Sequence, residues 1–311
     1  MRTLPAVGHH PVGVDLKPSP FTHHVGSIAD RTFVHRCFGG VEAVLHAATL
    51  HKPHVATHAR QDFVDTNVTG TLNLLEEAVA AGVRAVVYTS TTSAFGRALV
   101  PPPDEPAAWI TEDVTPVAKN IYGVTKVAAE DLCELFHYRF SLPSLVLRTS
   151  RFFPEADDRK ETRDAYHDLN AKANEFLYRR VDVEDIVSAH LLALERAPAI
   201  GFGRYIISAT TPFTQDDLLE LRTNAPSVVA RRVPQYRDVY AARGWTMFPG
   251  IDRVYANERA RRDLGWEPRY DFAKVLELIE SEGVAGSPLA RIIGSKGYHA
   301  DTFTEGPYPV E

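Results

Sequence analysis

Residues 84–96 read RAVVYTSTTSAFG, and this stretch decides how the rest of the chain is interpreted. Its first part, RAVVYTS at 84–90, is mostly apolar and β-branched, which is the pattern of a strand buried on both faces of a parallel sheet. Hydroxyl side chains follow at once at Thr91, Thr92 and Ser93. Ligands of open α/β sheets bind beyond the carboxyl ends of the strands, so this row predicts a binding edge. Such residues also cap ordinary turns.

Apolar runs on either side of this stretch alternate with longer helical segments. The predicted strands lie at 11–15, 41–47, 143–148 and 204–208. Apolar residues at helical spacing predict helices over 62–81, 122–140 and 182–196. This alternation predicts an α/β fold with a doubly wound parallel sheet.

Composition restricts the class of protein. The 311 residues carry a formal net charge of -6, which argues against a nucleic-acid partner because such binding needs a basic surface. The 2 cysteines lie in no C-x-x-C spacing and predict a reducing, cytoplasmic location. Apolar runs fall short of the roughly 18–20 residues that cross a bilayer, so we expect no membrane partner.

A tyrosine and a lysine four residues apart are the first candidates for chemistry. Tyr122 and Lys126 lie within the predicted helix 122–140, so both side chains emerge on one face. A neighbouring ammonium favours the phenolate and lowers the pKa of a tyrosine, which makes a general base near neutral pH. The same spacing also arises by chance on solvated helices.

Several motifs, taken in chain order, resemble the NAD-dependent epimerase/dehydratase family of extended short-chain dehydrogenases. VVYTSTTSAFG is similar to the family's strand and Ser/Thr motif, and IYGVTK to its tyrosine–lysine motif. VLHAAT at 44–49 and NVTGTLNLLEEA at 67–78 resemble the turn and helix beside the cofactor. VDVEDIVSAH and DLGWEPRY resemble two further family segments. The matches span roughly residues 10 to 275 and together are far more specific than any one alone.

The resemblance implies hydride transfer to NAD as the cofactor. Tyr122 would take a proton from a substrate hydroxyl, Lys126 would lower the pKa of Tyr122 and bind the nicotinamide ribose, and Thr91 would orient the substrate oxygen. The cofactor-binding residues that it implies, besides Tyr122 and Lys126, are Asp15, Ser27, Ile28, Ala47, Ala48, Thr49 and Asn67.

The resemblance also divides the chain. It implies a Rossmann-type dinucleotide-binding domain over residues 1–150, to which 182–210 contributes, and a smaller C-terminal substrate lobe from 151–181 and 211–285. Residues 151–179 are charged and are expected to form loops. Residues 286–311 are rich in glycine, proline and polar residues and are expected to form a surface tail.

The first βα unit of the family is missing from this sequence. The family opens with a G-x-x-G-x-x-G turn about 20 residues before the acid that binds the adenosine ribose. Asp15 resembles that acid, but 14 residues precede it and residues 1–8 resemble the end of a helix that stops at Gly8. We expect an N-terminally incomplete sheet and a natural start about 20 to 30 residues upstream. The competing hypothesis is a member that has lost its cofactor.

Substrate contacts are assigned to Thr92, Phe95 and Arg151. Arg151 stands where nucleotide-sugar enzymes of the family carry an asparagine, and a guanidinium can clamp a carboxylate or phosphate. It can equally be a surface charge. The substrate is therefore expected to be a sugar or nucleotide sugar, with a sugar acid as an open alternative.

Two further expectations concern metals and assembly. His46, His51, His54 and His58 match no zinc spacing, so we expect no metal site. The resemblance implies instead that this loop contacts the substrate or is a solvated loop. The resemblance implies a homodimer in which the helices at 62–81 and 122–140 pair with their copies.

The function expected is therefore an NAD-dependent epimerase or oxidoreductase acting on a sugar-type small molecule. The alternatives are an NAD-dependent dehydrogenase of a sugar acid or other small hydroxy-compound, and a non-catalytic protein that senses a dinucleotide. Fold alone does not separate these alternatives.

Overall fold

The computed structural model describes residues 1–294, His299, Phe303 and Gly306. The chain divides into two compact units that interleave along the sequence. The first unit contains Met1–Ser90, Asn120–Leu147 and His190–Arg204. The second contains Thr91–Lys119, Arg148–Ala189 and the described residues after Arg204. The domain limits expected from the sequence stay a prediction.

The strands form one four-stranded sheet and two pairs. In chain order they are β1 (Val14–Asp15), β2 (His24–Val25), β3 (Ala43–His46), β4 (Ala85–Thr91), β5 (Ala108–Ile110), β6 (Ser144–Thr149), β7 (Phe202–Ile207) and β8 (Arg253–Tyr255). The four-stranded sheet has the order β3-β4-β6-β7, and β3 pairs with β4 in parallel from Ala43 opposite Ala85 to His46 opposite Tyr88. The pairs β1-β2 and β5-β8 are also parallel.

The predicted incompleteness of the sheet is confirmed. Within the described part of the chain, β1 and β2 bond only to each other, and β3 has a hydrogen-bonded neighbour on one side only. Leu45 in β3 is 36% exposed, which is unusual for a strand of this type. Ahead of β1, a single 3-10 turn at Pro5–Val7 ends at Gly8 with a φ of 84°, as expected for a helix stop.

The helices agree with the sequence pattern except in two regions. They are α1 (Arg31–Cys37), α2 (Arg60–Phe63), α3 (Gly70–Ala81), α4 (Ile121–Phe140), α5 (Lys160–Ala165), α6 (Asp168–Glu175), α7 (Val183–Ile200), α8 (Leu218–Arg232), α9 (Tyr236–Ala241), α10 (Glu258–Leu264), α11 (Phe272–Glu282) and α12 (Pro288–Ile293). The predicted helix at 62–81 is α2 and α3 joined through a wider π-helical turn, Val64–Thr69. The expectation of loops over 151–179 is wrong, because α5 and α6 lie there.

Neighbouring residues of β4 show that helices cover both faces of the sheet. The Oγ atom of Ser90 donates to Glu130 on α4 at 2.5 Å. The hydroxyl of Thr89 lies 2.8 Å from the Nε2 atom of His190 on α7. Successive side chains of a strand point to opposite faces, so α4 and α7 lie on opposite sides. The sheet is therefore doubly wound, as predicted.

Each unit has its own apolar core. In the first unit, buried residues of β4 and β6 pack against α1, α3 and α4, and the set includes Ile28, Val34, Leu75, Val86, Cys133 and Val146. In the second unit, α6, α8, α9 and α11 enclose Phe176, Leu221, Val228, Tyr240, Phe272 and Leu276. Trp266 is fully buried, and its indole N–H donates to the carbonyl of Asp185 at 3.1 Å. The C-terminal lobe segment DLGWEPRY is thus anchored on α7.

A tight turn follows the hydroxyl row of β4. Gly96 has a φ of 57°, and a Cβ atom there would lie 2.1 Å from the carbonyl oxygen of Val117. We expect Gly96→Ala to lower the free energy of unfolding by about 3 kcal/mol, because both the strain and the clash must be relieved. Gly39→Ala is the control, since no atom lies within 4 Å of its added Cβ. Urea denaturation of both variants measures this, and equal stability would contradict it.

Most of the predicted surface tail lies outside the described residues. The described part contains α12, whose N-cap Ser287 accepts a hydrogen bond from the N–H of Ala290. In the ranges that the structure describes, no helix is both long and apolar enough to cross a membrane. Cys37 and Cys133 are free thiols. The cytoplasmic location stays a prediction.

Candidate active site

Lys126 is the most unusual side chain of the first unit. It is 1% exposed, although lysines are seldom buried. Its Nζ atom donates to the carbonyl oxygen of Thr89 at 2.8 Å and lies 4.1 Å from the centre of the Tyr88 ring. Burial lowers the pKa of Lys126 to about 7, against the opposing charge of Glu130. The ammonium is therefore held at the carboxyl end of β4, close to its titration point.

Tyr122 lies one helical turn before Lys126 on α4. Its side chain is 6% exposed. The ring centre lies 6.2 Å from that of His51, in the loop after β3. Burial, followed by the charge of Lys126, lowers the pKa of His51 to about 3, so this imidazole is neutral at physiological pH. The structure thus places a neutral histidine beside the predicted base.

Asn67 joins the loop after β3 to the helix that carries Tyr122. Its Oδ1 atom accepts from the N–H of Leu50 at 2.7 Å, and its Nδ2 atom donates to the carbonyl of Leu50 at 3.1 Å. The second Nδ2 hydrogen reaches the hydroxyl of Thr125 at 3.0 Å. The hydroxyl of Thr49 lies 2.9 Å from Oδ1. These bonds use the whole amide, so Asn67 braces the site, and its predicted contact with the cofactor stays a prediction.

A second buried network lies behind Lys126. The Nε2 atom of His46 lies 2.9 Å from the hydroxyl of Thr71, and that hydroxyl donates to the carbonyl of Asn67 at 2.7 Å. His46 must therefore donate from Nε2, which sets its tautomer. Burial, followed by the charge of Lys126, lowers the pKa of His46 to about 3. His46 is a neutral structural residue that holds the end of β3.

Replacing Asn67 tests this bracing. We expect Asn67→Ala to lower the free energy of unfolding by about 2 kcal/mol, since it leaves the partly buried N–H of Leu50 without its acceptor and removes three further hydrogen bonds of the amide. The control is Gln61→Ala, which removes an exposed amide bonded to Asp65 at 2.7 Å and should change stability by about 0.5 kcal/mol or less. Thermal unfolding compares the two variants. Equal losses would show that Asn67 does not brace the loop.

Thr91 ends β4, two residues after the carbonyl that binds Lys126. Its hydroxyl accepts from the N–H of Ser93 at 3.1 Å, and the side chain is partly exposed. Thr92 and Phe95 follow and are both buried, with Phe95 packed in the second unit against Ile110 and Tyr255. The structure gives the ring of Phe95 a packing role, and the substrate contacts of Thr92 and Phe95 stay predictions.

The other predicted cofactor residues follow the carboxyl ends of their strands in the first unit. Asp15 is exposed at the end of β1 and accepts from the N–H of Lys17 at 2.9 Å. The turn at Ser27 and Ile28 follows β2, and Asn73 on α3 donates to the Ile28 carbonyl at 2.9 Å. Ala47 and Ala48 follow β3 and are exposed. They thus follow the carboxyl ends of parallel strands, and their contacts with a cofactor stay predictions.

Arg151 is paired inside the second unit. Its guanidinium donates to the carbonyl of Ala156 at 2.7 Å and lies 3.4 Å from Asp158 and 3.9 Å from Glu175. Burial opposes its charge, but Glu175 and the neighbouring aspartates raise the pKa of Arg151 overall. A substrate anion would compete with these carboxylates, and the predicted clamp stays a prediction.

The histidine loop shows ring contacts and no metal arrangement. His54 lies 6.3 Å from His51 and 4.9 Å from His58, measured between ring centres. Among the residues that the structure describes, no three histidine, cysteine or acidic side chains meet in a way that could hold a metal ion.

Two residues at this site were not identified from the sequence alone. Tyr88 lies under the ammonium, and Glu130 is fully buried one turn after Lys126. A signal existed for Glu130, because an acid at this position interrupts the apolar face of a helix. Tyr88 had none, and the sequence named His51 without placing it beside Tyr122, because these contacts join distant segments.

Comparison with known proteins agrees with this geometry. The sequence model of the NAD dependent epimerase/dehydratase family matches residues 2–207. A UDP-glucose 4-epimerase of Rhizobium meliloti is 28% identical over 263 residues, which are 76% of this chain and 75% of that protein. It is the kind of relative that the order of motifs predicts.

Solved structures share the fold. A short-chain dehydrogenase/reductase superfamily protein from Agrobacterium tumefaciens with bound NAD superposes with a TM-score of 0.61 at 23% identity, covering 89% of this chain and 90% of that one. The UDP-glucose 4-epimerase of Thermotoga maritima with UDP-glucose gives a TM-score of 0.60 at 22% identity, covering 89% and 91%. The Rossmann-type fold is therefore confirmed.

Proposed function

The chain belongs to the NAD dependent epimerase/dehydratase family, and on that premise we propose that it interconverts nucleotide sugars by oxidising and reducing one sugar hydroxyl. The observation that carries the proposal is the buried ammonium of Lys126, one helical turn from Tyr122. A buried lysine costs stability, and pKa values perturbed by burial cluster at functional sites.

The residues present fit the nicotinamide-ribose half of NAD. An ammonium has three hydrogens to donate, and one of those of Lys126 goes to Thr89. The described residues supply no second acceptor to Nζ, which leaves donors for ribose hydroxyls. Asp15, exposed at the end of β1, fits the hydroxyls of the adenosine ribose. For the pyrophosphate, the printed sequence contains no G-x-x-G-x-x-G turn.

Proton transfer is the part of the reaction that this chain performs. Bound NAD would supply the hydride acceptor and donor for the sugar carbon. Tyr122 takes the proton from the hydroxyl that is oxidised and gives it back on reduction. The Lys126 ammonium favours the phenolate of Tyr122, and Thr91 orients the substrate oxygen. His51 is neutral and adds no competing charge beside Tyr122.

The substrate class proposed is a UDP-hexose. It rests on relatives named UDP-glucose 4-epimerase, including those of Rhizobium meliloti and Streptomyces lividans, at 28% and 26% identity. The test incubates the protein with NAD and UDP-glucose and separates the products by anion-exchange chromatography. We expect UDP-galactose to form without net NADH. Accumulation of NADH in step with product would replace the epimerase with a dehydrogenase, and the absence of any conversion would contradict the proposal.

A homodimer is proposed from the exposed face of α4. Val124, Leu135 and Tyr138 are 52%, 49% and 73% exposed in the single chain, and their spacing places them on one helix face. Light scattering should give about twice the mass of one chain. The double variant Leu135→Glu, Tyr138→Glu should give a single-chain mass. A monomeric wild type would contradict the proposal.

A further inference from the structure

A buried acid completes the face of α4 that carries Tyr122 and Lys126. Glu130 follows Lys126 by four residues, as Lys126 follows Tyr122, so the three side chains lie on one helix face. Glu130 is 0% exposed, and Lys126 is 1% exposed. Fully buried acids and lysines are rare unless they are paired. Water therefore does not stabilise the charges of Lys126 and Glu130, and the protein must do so.

Consecutive residues of β4 hold both charges in place. Thr89 accepts from the Lys126 ammonium through its carbonyl at 2.8 Å. The next residue, Ser90, donates through its side chain to the Oε1 atom of Glu130 at 2.5 Å. The strand thus fixes the ammonium and the carboxylate on the same face of the sheet, one turn of α4 apart.

Arg204 compensates the charge of Glu130 only in part. Its Nε atom lies 3.3 Å from the Oε2 atom of Glu130. Its Nη2 atom donates to Asp131 and to Glu134, each at 2.9 Å. One guanidinium is therefore shared among three carboxylates, and the charge of Glu130 also acts on Lys126, whose pKa it raises against the effect of burial.

We propose that Glu130 is a positioning residue, the buried counter-ion that keeps the Lys126 ammonium charged and in place over Tyr88. The inference rests on the proposed function, since it assigns Glu130 to the support of the Tyr122–Lys126 pair. Glu130 acts through Lys126.

Two histidines, a cysteine and a tyrosine around the pair are uncharged near neutral pH. Burial lowers the pKa of both His46 and His51 to about 3, and it raises the pKa of Cys133 to about 12. Burial also raises the pKa of Tyr88. The groups that face the pair from β3, β4, β7, α4 and the loop after β3 are His46, Tyr88, Arg204, Tyr122, Cys133, Asp131, Glu134 and His51.

The sign of the effect follows from the two opposing influences on Lys126. Burial lowers the pKa of Lys126 to about 7, and Glu130 works against that lowering. Removing the charge of Glu130 while keeping its shape leaves burial less opposed. The ammonium then loses its proton at a lower pH.

The test measures the titration of Lys126 directly, in the full chain without cofactor or substrate. Lysines are labelled with carbon-13 during expression, since the buried amine of Lys126 is out of reach of a modifying reagent, and the Lys126 side-chain resonance is assigned with Lys126→Arg. We expect Glu130→Gln to move the Lys126 midpoint down by about one pH unit. Glu130→Asp keeps the charge and should restore most of the shift. Glu134→Gln, which removes another partner of Arg204, is the matched control and should leave the midpoint within about 0.3 of a pH unit.

An unchanged midpoint in Glu130→Gln would overturn the proposal. If that variant does not fold, Arg204→Gln provides a test of opposite sign, because it removes the cation that competes with Lys126 for Glu130. Its Lys126 midpoint should rise, and a fall or no change would overturn the proposal. The measurement needs no turnover, so a failure of the proposed epimerase activity stays distinguishable from a failure of this inference.

Discussion

Tyr122→Phe should lower turnover about a thousandfold, which is the loss expected when a positioned acid–base group is removed. The phenyl ring retains the packing of a side chain that is 6% exposed, so the free energy of unfolding should change by about 1 kcal/mol or less. NAD affinity should stay nearly the same. Single-turnover rates and calorimetric NAD titration measure the two quantities separately.

The control for this variant lies on the same helix. Tyr138→Phe removes a hydroxyl from a side chain that is 73% exposed, and turnover should stay at the wild-type level. A Tyr122→Phe protein that keeps wild-type turnover would exclude Tyr122 as the proton carrier. That result would favour the non-catalytic, dinucleotide-sensing alternative.

Lys126→Met should change activity and stability in opposite directions. Turnover should fall by about a hundredfold or more, because no ammonium is left to favour the phenolate of Tyr122. The free energy of unfolding at pH 7 should rise by about 2 kcal/mol, since an apolar side chain of similar length replaces a buried charge. The gain is limited to this size because Glu130 loses the Lys126 ammonium and keeps only its partial compensation by Arg204.

The pH dependence of stability gives this prediction its sign. Burial lowers the pKa of Lys126 from an ordinary 10.5 to about 7, so between these values the folded protein binds fewer protons than the unfolded chain. The stability of the wild type therefore rises with pH across this window, and it falls as the pH drops through 7. Lys126→Met should lack that contribution.

Denaturation of both proteins at several pH values measures the difference. Lys160→Met is the control. The Lys160 side chain is 61% exposed, so removing its ammonium should change the free energy of unfolding little. A loss of stability in Lys126→Met at pH 7 would show that the ammonium is well compensated in the folded protein.

Elements with strong periodicity were predicted well from the sequence. The helix expected at 122–140 is α4, Ile121–Phe140, and the strand expected at 84–90 is β4, Ala85–Thr91. A long apolar period shows which side chains of an element are buried, and this pattern can be read directly from the sequence. The short strand β2 was missed, because its two residues, His24 and Val25, are too few to show a period.

The charged region after residue 150 shows why other elements escaped prediction. Glu175 on α6 is buried and bonds to Arg179 and Arg180, with 2.7 Å from its Oε2 atom to the Nε atom of Arg180. A run of charges suggests a solvated loop, but here the charges neutralise one another inside the second unit. Whether such charges are buried depends on their tertiary surroundings, which give no periodic signal in the sequence.

The sequence by itself determined the fold class, the family and the pair Tyr122 and Lys126, because these depend on local spacing and on motifs in a fixed order. Only the tertiary structure decided how far Lys126 is buried, that Asn67 braces the loop after β3, and that Glu130 and His51 belong to the site. The physical reason is that a pKa depends on solvation and on charges brought together across strands and helices. Those distances exist only in the folded chain.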